Sequence, residues 1–331
     1  MTVRRTRLLD LLERIPAKHF VVVGDLYLDR YIFGEPVRIS REAPVLVLEE
    51  RRIEHRPGGG AAPGLALAAL GARVAQLGVV GDDPEGDLLR ALLAERAVET
   101  AGIVVDPARP TTAKTRVVAI GPYNVLPQQL VRIDRQVRDA LSPELERTLL
   151  HELTSRSDRA DALVLSDYQS GVLTPRIVAA ALATGRLTVV DSQGRLDAFR
   201  GATVIKCNRA EAERFLGGSL ATPAERAERL TALWRELACQ LLVVTLGGEG
   251  AALVGAEGYR EFPPPAVRAV FDVTGAGDTV LALLAAALAC EATPEEALTL
   301  AQLAASIVIG KFGNAQATVQ ELAAAVSEHL P

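Results

Sequence analysis

The segment Asp272-Val-Thr-Gly-Ala-Gly-Asp278 combines two aspartates with two glycines directly before an apolar, helix-like stretch, residues 279–290. Gly275 and Gly277 allow a tight turn that exposes amide groups at the positive end of the helix dipole, an arrangement suited to an anion such as a transferring phosphoryl group. Asp278 falls in the first helical turn and could accept a proton from an attacking hydroxyl group. A glycine turn with an aspartate that only caps the helix is the alternative at this point.

Three further segments are candidates for binding phosphate or nucleotide. The glycines of Arg56-Pro-Gly-Gly-Gly60, which precede a helix-like stretch, allow the backbone to approach a ligand closely. Asn208-Arg-Ala-Glu211 has a carboxylate one turn after a strand end, where it could hold phosphate-bound Mg²⁺ through water. Val244-Thr-Leu-Gly-Gly-Glu-Gly250 runs from a strand into a glycine turn. Each segment also has a purely structural interpretation, as a turn, a helix N-cap or a hairpin.

These segments belong to an alternation of apolar strands and amphipathic helices. The predicted strands are residues 20–25, 74–80, 162–167, 187–191, 202–208 and 241–247, and helices are predicted for example at 84–97 and 223–239. Strands that are apolar on both sides predict an α/β fold, with a mostly parallel central sheet covered by helices on both faces.

Five of the predicted strands end in, or close to, a polar residue. These residues are Asp25, Asp167, Asp191, Asn208 and Thr245. Ligands of open α/β sheets bind beyond the carboxyl ends of the strands. We therefore expect the chemistry at that edge of the sheet.

Two regions, at about residues 32–55 and 112–135, depart from the alternation. They have the pattern of short strand pairs, the second pair (114–120 and 129–134) being joined by Gly121-Pro-Tyr-Asn124. We expect a small β lid that projects from the main sheet; the alternative is that these strands extend its edges. The run Val45-Leu-Val-Leu48 is too apolar for an exposed edge strand, so we also expect a homodimer formed through the lid strands.

Composition excludes several classes of protein. The chain has 331 residues and a formal net charge of −5, without a basic block that could follow a nucleic-acid backbone. Its longest apolar run, residues 280–290, is much shorter than the roughly 20 residues of a membrane-spanning helix. The three cysteines are too far apart for a disulfide framework or a metal cluster. We expect a cytoplasmic protein with small-molecule partners and no nucleic acid or membrane partner.

Together and in this order, the four glycine-rich and polar segments resemble the ribokinase-like (PfkB) family of carbohydrate kinases, whose signature Asp-x-x-Gly-Ala-Gly-Asp is present at residues 272–278. The resemblance covers the chain from Val21 to about Val319. Within the family, the chain is most similar to kinases that phosphorylate D-glycero-D-manno-heptose 7-phosphate at O1, on the way to lipopolysaccharide core. This similarity lies in Gly24-Asp-Leu-Tyr-Leu-Asp-Arg30, Arg38-Ile-Ser-Arg-Glu-Ala-Pro44, Arg56-Pro-Gly-Gly59, Leu165-Ser-Asp-Tyr168 and Val308-Ile-Gly-Lys-Phe-Gly313.

The resemblance implies one ribokinase-like domain over residues 1–331 that uses ATP and Mg²⁺. Asp278 would be the catalytic base, the amides of Gly275, Ala276 and Gly277 the anion hole, and Asp272 a neighbour of a monovalent-cation site, with K⁺ as the candidate ion. The implied nucleotide and phosphate ligands are Asn208, Glu211 (which would also support Mg²⁺ through water), Thr245, Gly247, Gly250, Lys311 and Gly313. The implied acceptor ligands are Asp25, Asp29, Gly58, Gly59, Lys114, Arg116 and Asp167.

Three positions depart from the heptose-kinase pattern. Ala62 stands where the family usually has an asparagine that contacts the sugar, and Ser170 and Gln193 stand where lysines are usual. Two cations are therefore missing from the expected sugar-phosphate side. We expect another cation to replace them. The candidates are Arg195 and the lid residues Lys114, Arg116 and Arg132, with Arg116 slightly favoured.

Two alternatives to a heptose 7-phosphate kinase follow from these departures. One is a kinase of the same family that acts on a different sugar or small alcohol. The other is a non-catalytic relative that binds sugar or nucleotide, although the intact Asp278 and its glycines argue against it.

Overall fold

The computed structural model describes residues 3–121, 127–266 and 270–329. Within them the chain forms two β-sheets, with strands numbered in chain order. The larger sheet contains β1 (His19–Gly24), β4 (Arg73–Gly81), β5 (Val98–Glu99), β6 (Ile103–Asp106), β9 (Ala162–Asp167), β10 (Leu187–Ser192), β11 (Val204–Asn208), β12 (Leu241–Thr245), β13 (Ala251–Gly255) and β14 (Gly258–Phe262). The smaller sheet contains β2 (Leu26–Ile39), β3 (Leu46–Gly59), β7 (Thr112–Ala119) and β8 (Gln128–Arg135).

The helices connect the strands of the larger sheet and cover it. They are α1 (Arg5–Arg14), α2 (Ala62–Ala69), α3 (Pro84–Ala94), α4 (Pro143–Ser157), α5 (Pro175–Ala183), α6 (Arg209–Leu216), α7 (Pro223–Leu237), α8 (Ala276–Ala289), α9 (Pro294–Val308) and α10 (Val319–His329). Five of them, α3, α4, α5, α7 and α9, begin with a capping Asp, Ser or Thr followed by proline. The cap accepts an amide hydrogen of the first turn, and proline at that position removes a donor that would otherwise lack a partner.

The larger sheet has the strand order β14-β13-β12-β11-β10-β9-β1-β4-β5, with β6 also paired to β4. From β12 to β5 the neighbouring strands are parallel, and β13 and β14 add an antiparallel edge. Phe20 and Val22 of β1 pack into one hydrophobic cluster with α8 and α9, whereas Val21 and Val23 pack into a second cluster with α4 and α7. The predicted fold class is confirmed: the strands are apolar on both sides because helices cover both faces.

The smaller sheet is separate from the larger one and has the order β3-β2-β7-β8. The alternative that these strands extend the edges of the main sheet is therefore wrong. β2 follows β1 almost directly and β3 ends at Gly59, so this lid sheet begins and ends beside the carboxyl edge of the main sheet. Residues 122–126, which include most of the predicted turn Gly121-Pro-Tyr-Asn124, lie outside the described residues.

Some boundaries differ from the sequence prediction. The helix predicted over 84–97 ends at Ala94, and the helix predicted from residue 279 already begins at Ala276. Strands β5 and β6 were not predicted, because they are short and interrupted by glycine and polar residues. None of the helices in the described ranges is long and apolar enough to cross a membrane.

Candidate active site

The site is organised around the start of α8, which is almost entirely apolar and is buried against α2, α9 and the strands β9 and β10. This packing fixes the first turn of the helix near the carboxyl edge of the sheet. Asp278 lies in that turn and is only 8% exposed. Burial, followed by the negative charge of Asp191, raises the pKa of Asp278 to about 7.

The glycine turn before α8 has the conformation that the sequence predicted. Gly275 has φ +82°, and any side chain there would collide with Asn314 Oδ1. The amide of Ala276 bonds to the Val273 carbonyl at 3.3 Å, while no acceptor for the amides of Gly275 and Gly277 is found among the described residues. The amides of Gly275 and Gly277 are therefore available as anion-hole donors, and the amide of Ala276 makes only a long hydrogen bond.

Tyr168 is the nearest partner of Asp278. Its hydroxyl group donates to the carboxylate, 3.0 Å from both Oδ1 and Oδ2. Asp25, at the end of β1, holds the loop that carries Tyr168, because its side chain accepts hydrogen bonds from the amides of Tyr168, Ser170 and Val172. Asp25 was predicted to face the sugar; its carboxylate is buried and occupied by this loop, and burial raises its pKa.

Asn208 and Glu211 form the N-terminal cap of α6. Asn208 Oδ1 accepts from the Glu211 amide at 2.9 Å, and Glu211 Oε2 accepts from the Asn208 amide at 2.8 Å. Both residues also line a polar cleft beside Tyr168. Burial and the charge of Asp191 raise the pKa of Glu211. No cluster of three or more metal-binding side chains occurs in the described ranges. A Mg²⁺ ion here fits only if phosphate oxygens and water supply most of its ligands, as is usual for Mg²⁺.

The residues predicted to flank the nucleotide lie at the end of β12 and after it. Thr245 ends β12 beside Asn208, its register partner in β11. Gly247 and Gly250, both with positive φ, form the short turn into β13, and a side chain at Gly250 would collide with the Phe262 carbonyl. Among the residues that the structure describes, no atom outside the turn's own neighbours lies within 4 Å of the Cβ position of Gly247.

Asp272 connects two chain segments at the site. Its Oδ1 accepts from the Thr274 amide at 2.9 Å and its Oδ2 from the Gly313 amide at 3.0 Å. Gly313 has φ +70° and lies against the Arg56 guanidinium. Lys311, which was predicted to contact nucleotide, bonds to Glu321 of α10 at 2.6 Å and to the Gln316 carbonyl at 2.8 Å. Its ammonium group is therefore engaged on the helix side.

On the lid side, Asp29 and Arg116 form a buried ion pair of 2.6 Å. Gly58 lies so close to Asp29 that any side chain at position 58 would collide with the carboxylate, and one at Gly59 would collide with Asp25 and Tyr27. These glycines thus let β3 pass close to the two aspartates. Because Asp29 neutralises it, Arg116 is a poorer candidate for an acceptor phosphate than the sequence indicated.

Asp167 and Arg195 form a second neutralised pair. Asp167 is buried and accepts from Arg195 Nη2 at 2.8 Å, Arg195 Nε at 3.2 Å and the Ser192 hydroxyl at 2.7 Å. A planar guanidinium that binds a carboxylate in this way has little capacity for another anion. Asp167 supports the loops at the ends of β9 and β10.

The cleft beside Tyr168 has a volume of about 350 Å³ and mostly polar walls, contributed by both the lid and the main sheet. Lys114 lines it, with its ammonium group 4.2 Å from the Tyr27 ring centre, and burial lowers its pKa. Arg132 is bound bidentately by Asp134. Arg138 and Arg214 also line the cleft, and neither has a carboxylate oxygen within 4.0 Å in the part of the chain that the structure describes.

Two of the three unusual positions, Ser170 and Gln193, lie at this cleft. Ser170 Oγ is 2.6 Å from Gln136 Nε2 and 3.0 Å from the Tyr27 hydroxyl. Gln193 lines the cleft, and its carbonyl accepts from Gln169 Nε2. Ala62 is buried at the start of α2. Sequence reasoning did not identify Arg138 and Arg214, since one follows β8 and the other lies within α6 without a recognisable motif.

A buried carboxylate beside free amides at a helix start can take a proton from a hydroxyl group while the amides bind an anion, which is the arrangement needed for phosphoryl transfer to an alcohol. The family comparison agrees: residues 17–321 match the model of the pfkB family carbohydrate kinases. The chain belongs to the pfkB family of carbohydrate kinases.

The chain is similar to the bifunctional protein HldE of Geotalea uraniireducens, with 39% identity over 94% of this chain and 63% of that protein. It is also similar to the bifunctional protein HldE of Helicobacter pylori, with 36% identity over 95% of this chain and 67% of that protein. The chain thus spans about two thirds of the length of these relatives, or slightly less.

Solved structures share the fold at lower identity. Phosphofructokinase-2 from Escherichia coli, solved in complex with potassium, has a TM-score of 0.78 and 21% identity over 94% of this chain and 98% of its own. Ribokinase from Arabidopsis thaliana, complexed with ribose and ATP, has a TM-score of 0.71 and 20% identity over the same share of this chain and 98% of its own. At this identity the likeness supports the fold alone.

Proposed function

We propose that the protein is an ATP-dependent kinase that transfers a phosphoryl group to a hydroxyl of a phosphorylated sugar, D-glycero-D-manno-heptose 7-phosphate at O1. The observation that carries this proposal is the position of Asp278, buried beside the free amides of Gly275 and Gly277 and with a pKa raised to about 7. A general base works best when its pKa is close to the operating pH.

In the proposed reaction, ATP supplies the γ-phosphoryl group. Asp278 accepts the proton of the attacking sugar hydroxyl at one of its carboxylate oxygens, each of which has a second lone pair beside the one that faces the Tyr168 hydroxyl. The amides of Gly275 and Gly277 bind the oxygens that gain negative charge. Mg²⁺ would sit near Glu211, held through water and phosphate, and K⁺ near Asp272.

The charge of the cleft supports a phosphorylated acceptor. Of its cations, Arg132 is neutralised by Asp134, whereas Arg138 and Arg214 have no carboxylate partner among the described residues and Lys114 contacts aromatic rings. A dianion in a partly closed site needs such partners. We therefore assign the acceptor phosphate to Arg138, Arg214 and Lys114, in place of Arg116. The similarity to proteins named HldE supports heptose 7-phosphate as the acceptor.

An ADP-release assay with a panel of sugars and sugar phosphates tests this function. We expect turnover of heptose 7-phosphate and little turnover of the same heptose without its phosphate. Equal turnover of both would contradict the phosphorylated acceptor and favour a kinase for an uncharged sugar. No ADP release with any acceptor, together with retained nucleotide binding, would favour a non-catalytic relative.

We also propose that two chains associate through their lid sheets. One apolar row crosses one face of the lid, because its members are register partners on the four lid strands. These residues are Ile53, Ile32, Val117 and Val131. The opposite face already packs Tyr31, Phe33 and Val118 against Phe312. Val131 and its neighbour Ile133 are 48% and 61% exposed. A second copy of the same sheet is the partner that would cover this row.

A further inference from the structure

A buried lysine lies directly behind the glycine turn of α8. Lys206 of β11 has a side chain that is 4% exposed, and its Nζ is 2.6 Å from Asp191 Oδ2 on β10. The two residues are direct register partners on adjacent parallel strands, so both side chains project from the same face of the sheet. Register therefore fixes the pair independently of any ligand.

The same ammonium group contacts the start of α8. A Cβ atom added to Gly277 would lie 2.9 Å from Lys206 Nζ and 3.9 Å from Asp191 Oδ2. The lysine thus occupies the space that a side chain at position 277 would need. Burial disfavours the charged form of Lys206, but the adjacent Asp191 carboxylate outweighs it and raises the pKa of the lysine, which therefore stays charged.

We propose that Lys206, held by Asp191, is a positioning residue of the transfer site: it places a fixed positive charge behind Gly277 and keeps Asp278 able to ionise. The inference rests on the proposed kinase function for its catalytic consequence. It does not depend on which sugar is the acceptor.

The groups facing Asp278 come from four elements and oppose one another. After burial, the charge of Asp191 on β10 is the strongest influence that raises the pKa of Asp278, and Asp29 on β2 acts in the same direction. Lys206 on β11 and the hydroxyl group of Tyr168 after β9 lower it. The Lys206–Asp191 pair therefore contains one residue of each sign, and the two should have opposite effects when removed singly.

The first test replaces Lys206 with methionine, which keeps the length of the side chain and removes the charge. The rise of kcat with pH should move to higher pH by about one unit, because a charge at this range shifts a pKa by about 1–3 units. At pH 7 the ionised fraction of Asp278 would fall from about one half to about one tenth, so kcat falls about fivefold. KM for ATP and acceptor should change little. Lys206→Arg, which keeps the charge, should restore the pH profile.

The matched variant is Asp191→Asn, which should move the same limb of the profile to lower pH. The double variant Lys206→Met/Asp191→Asn should return close to the wild-type position, and it also serves if the single lysine variant does not fold, as judged by circular dichroism. The proposal would be overturned if the pH profiles of both single variants shifted in the same direction or if neither shifted. A purely structural pair would lower activity without moving the two profiles in opposite directions.

A second readout separates this inference from the proposed function. The carboxyl ¹³C signal of Asp278, identified by its loss in Asp278→Asn, can be titrated without any substrate. Its midpoint should rise in Lys206→Met and fall in Asp191→Asn. If the midpoints shift but the enzyme phosphorylates no acceptor, the inference about Lys206 stands and the proposed function is refuted. If the midpoints do not shift in an active enzyme, only the inference is refuted.

Discussion

The carboxyl edge of the main sheet and the lid sheet differ in which side chains they bury and which they expose. At the sheet edge, carboxylates are buried or partly buried and have partners: Asp25 binds backbone amides, Asp167 binds Arg195, and Asp191 binds Lys206. On the lid, apolar side chains such as Val131 and Ile133 are exposed.

The difference indicates which part of the site is complete in the single chain. Buried and paired charges are expensive to rearrange, so the edge of the main sheet provides a preorganised environment for charge that develops during transfer. The lid also contains the buried Asp29–Arg116 pair, but it has a partly exposed apolar row on one face, and its Lys114 lines the cleft without a carboxylate oxygen within 4.0 Å among the described residues. In the proposed assembly and function, a second chain would cover the apolar row and a substrate anion would pair with Lys114.

The largest expected effect comes from replacing Asp278, the proposed general base at the preorganised edge of the main sheet. Asp278→Asn should lower kcat by about 10²–10⁴-fold, the usual contribution of a general base, with nucleotide binding largely retained. Kinetics and calorimetric titration with ATP measure the two quantities. The control is Asp158→Asn, an exposed aspartate after α4, which should leave both unchanged. A loss of less than tenfold in Asp278→Asn would remove this residue from the role of base.

A smaller effect is expected where the lid meets the main sheet. Arg138→Ala and Arg214→Ala should each raise KM for the phosphorylated acceptor by roughly 10- to 100-fold, since a charge-assisted contact contributes about 1.5–3 kcal/mol. KM for ATP should change little. Arg235→Ala, at the far end of α7, is the control. A rise in KM for ATP instead would assign these arginines to the nucleotide.

The apolar row of the lid, which is exposed at Val131, predicts a change in assembly. Val131→Glu should convert a dimer to a monomer in sedimentation velocity at micromolar concentration, because it places a charge at the exposed end of the row, on the edge strand β8. Gln129→Glu is the matched control, since Gln129 is exposed on the same strand and its register partner is Val118, which belongs to the opposite face. A wild-type protein that is already monomeric, or equal dissociation in both variants, would contradict a lid-to-lid dimer.

The sequence predicted the main sheet well because its strands are apolar on both sides. Strand β9 has the predicted bounds, and the glycine turn before Asp278 forms as expected. These features are local, since a two-sided apolar strand and a glycine with positive φ depend mainly on the residues themselves. The same reasoning predicted the capping interaction of Asn208 and Glu211 as a structural alternative, and that interaction is present.

The pairing of charges could not be predicted in the same way. Arg116 and Arg195 resemble free cations in the sequence, but Asp29 and Asp167 neutralise them in the fold. Lys206 interrupts an apolar strand and carries no motif, and only strand register shows its contact with Asp191. Which charge remains available to a ligand depends on distances between segments that are remote in the chain.

The smallest expected effect concerns stability and again distinguishes the buried carboxylate of Asp278 from an exposed surface carboxylate. Burial and the charge of Asp191 raise the pKa of Asp278 from 3.8 to about 7. Protonated Asp278 stabilises the folded state. This contribution is complete below pH 3.8 and is lost as pH rises through about 7. Asp278→Asn should therefore unfold at a higher temperature than the wild type at pH 8, since about 1–2 kcal/mol corresponds to roughly 2–4 °C in a chain of this size. The gain should shrink between pH 7 and pH 5 in thermal unfolding scans, while the exposed Asp158→Asn shows none. A gain that is independent of pH would mean that the pKa of Asp278 is not raised by its surroundings.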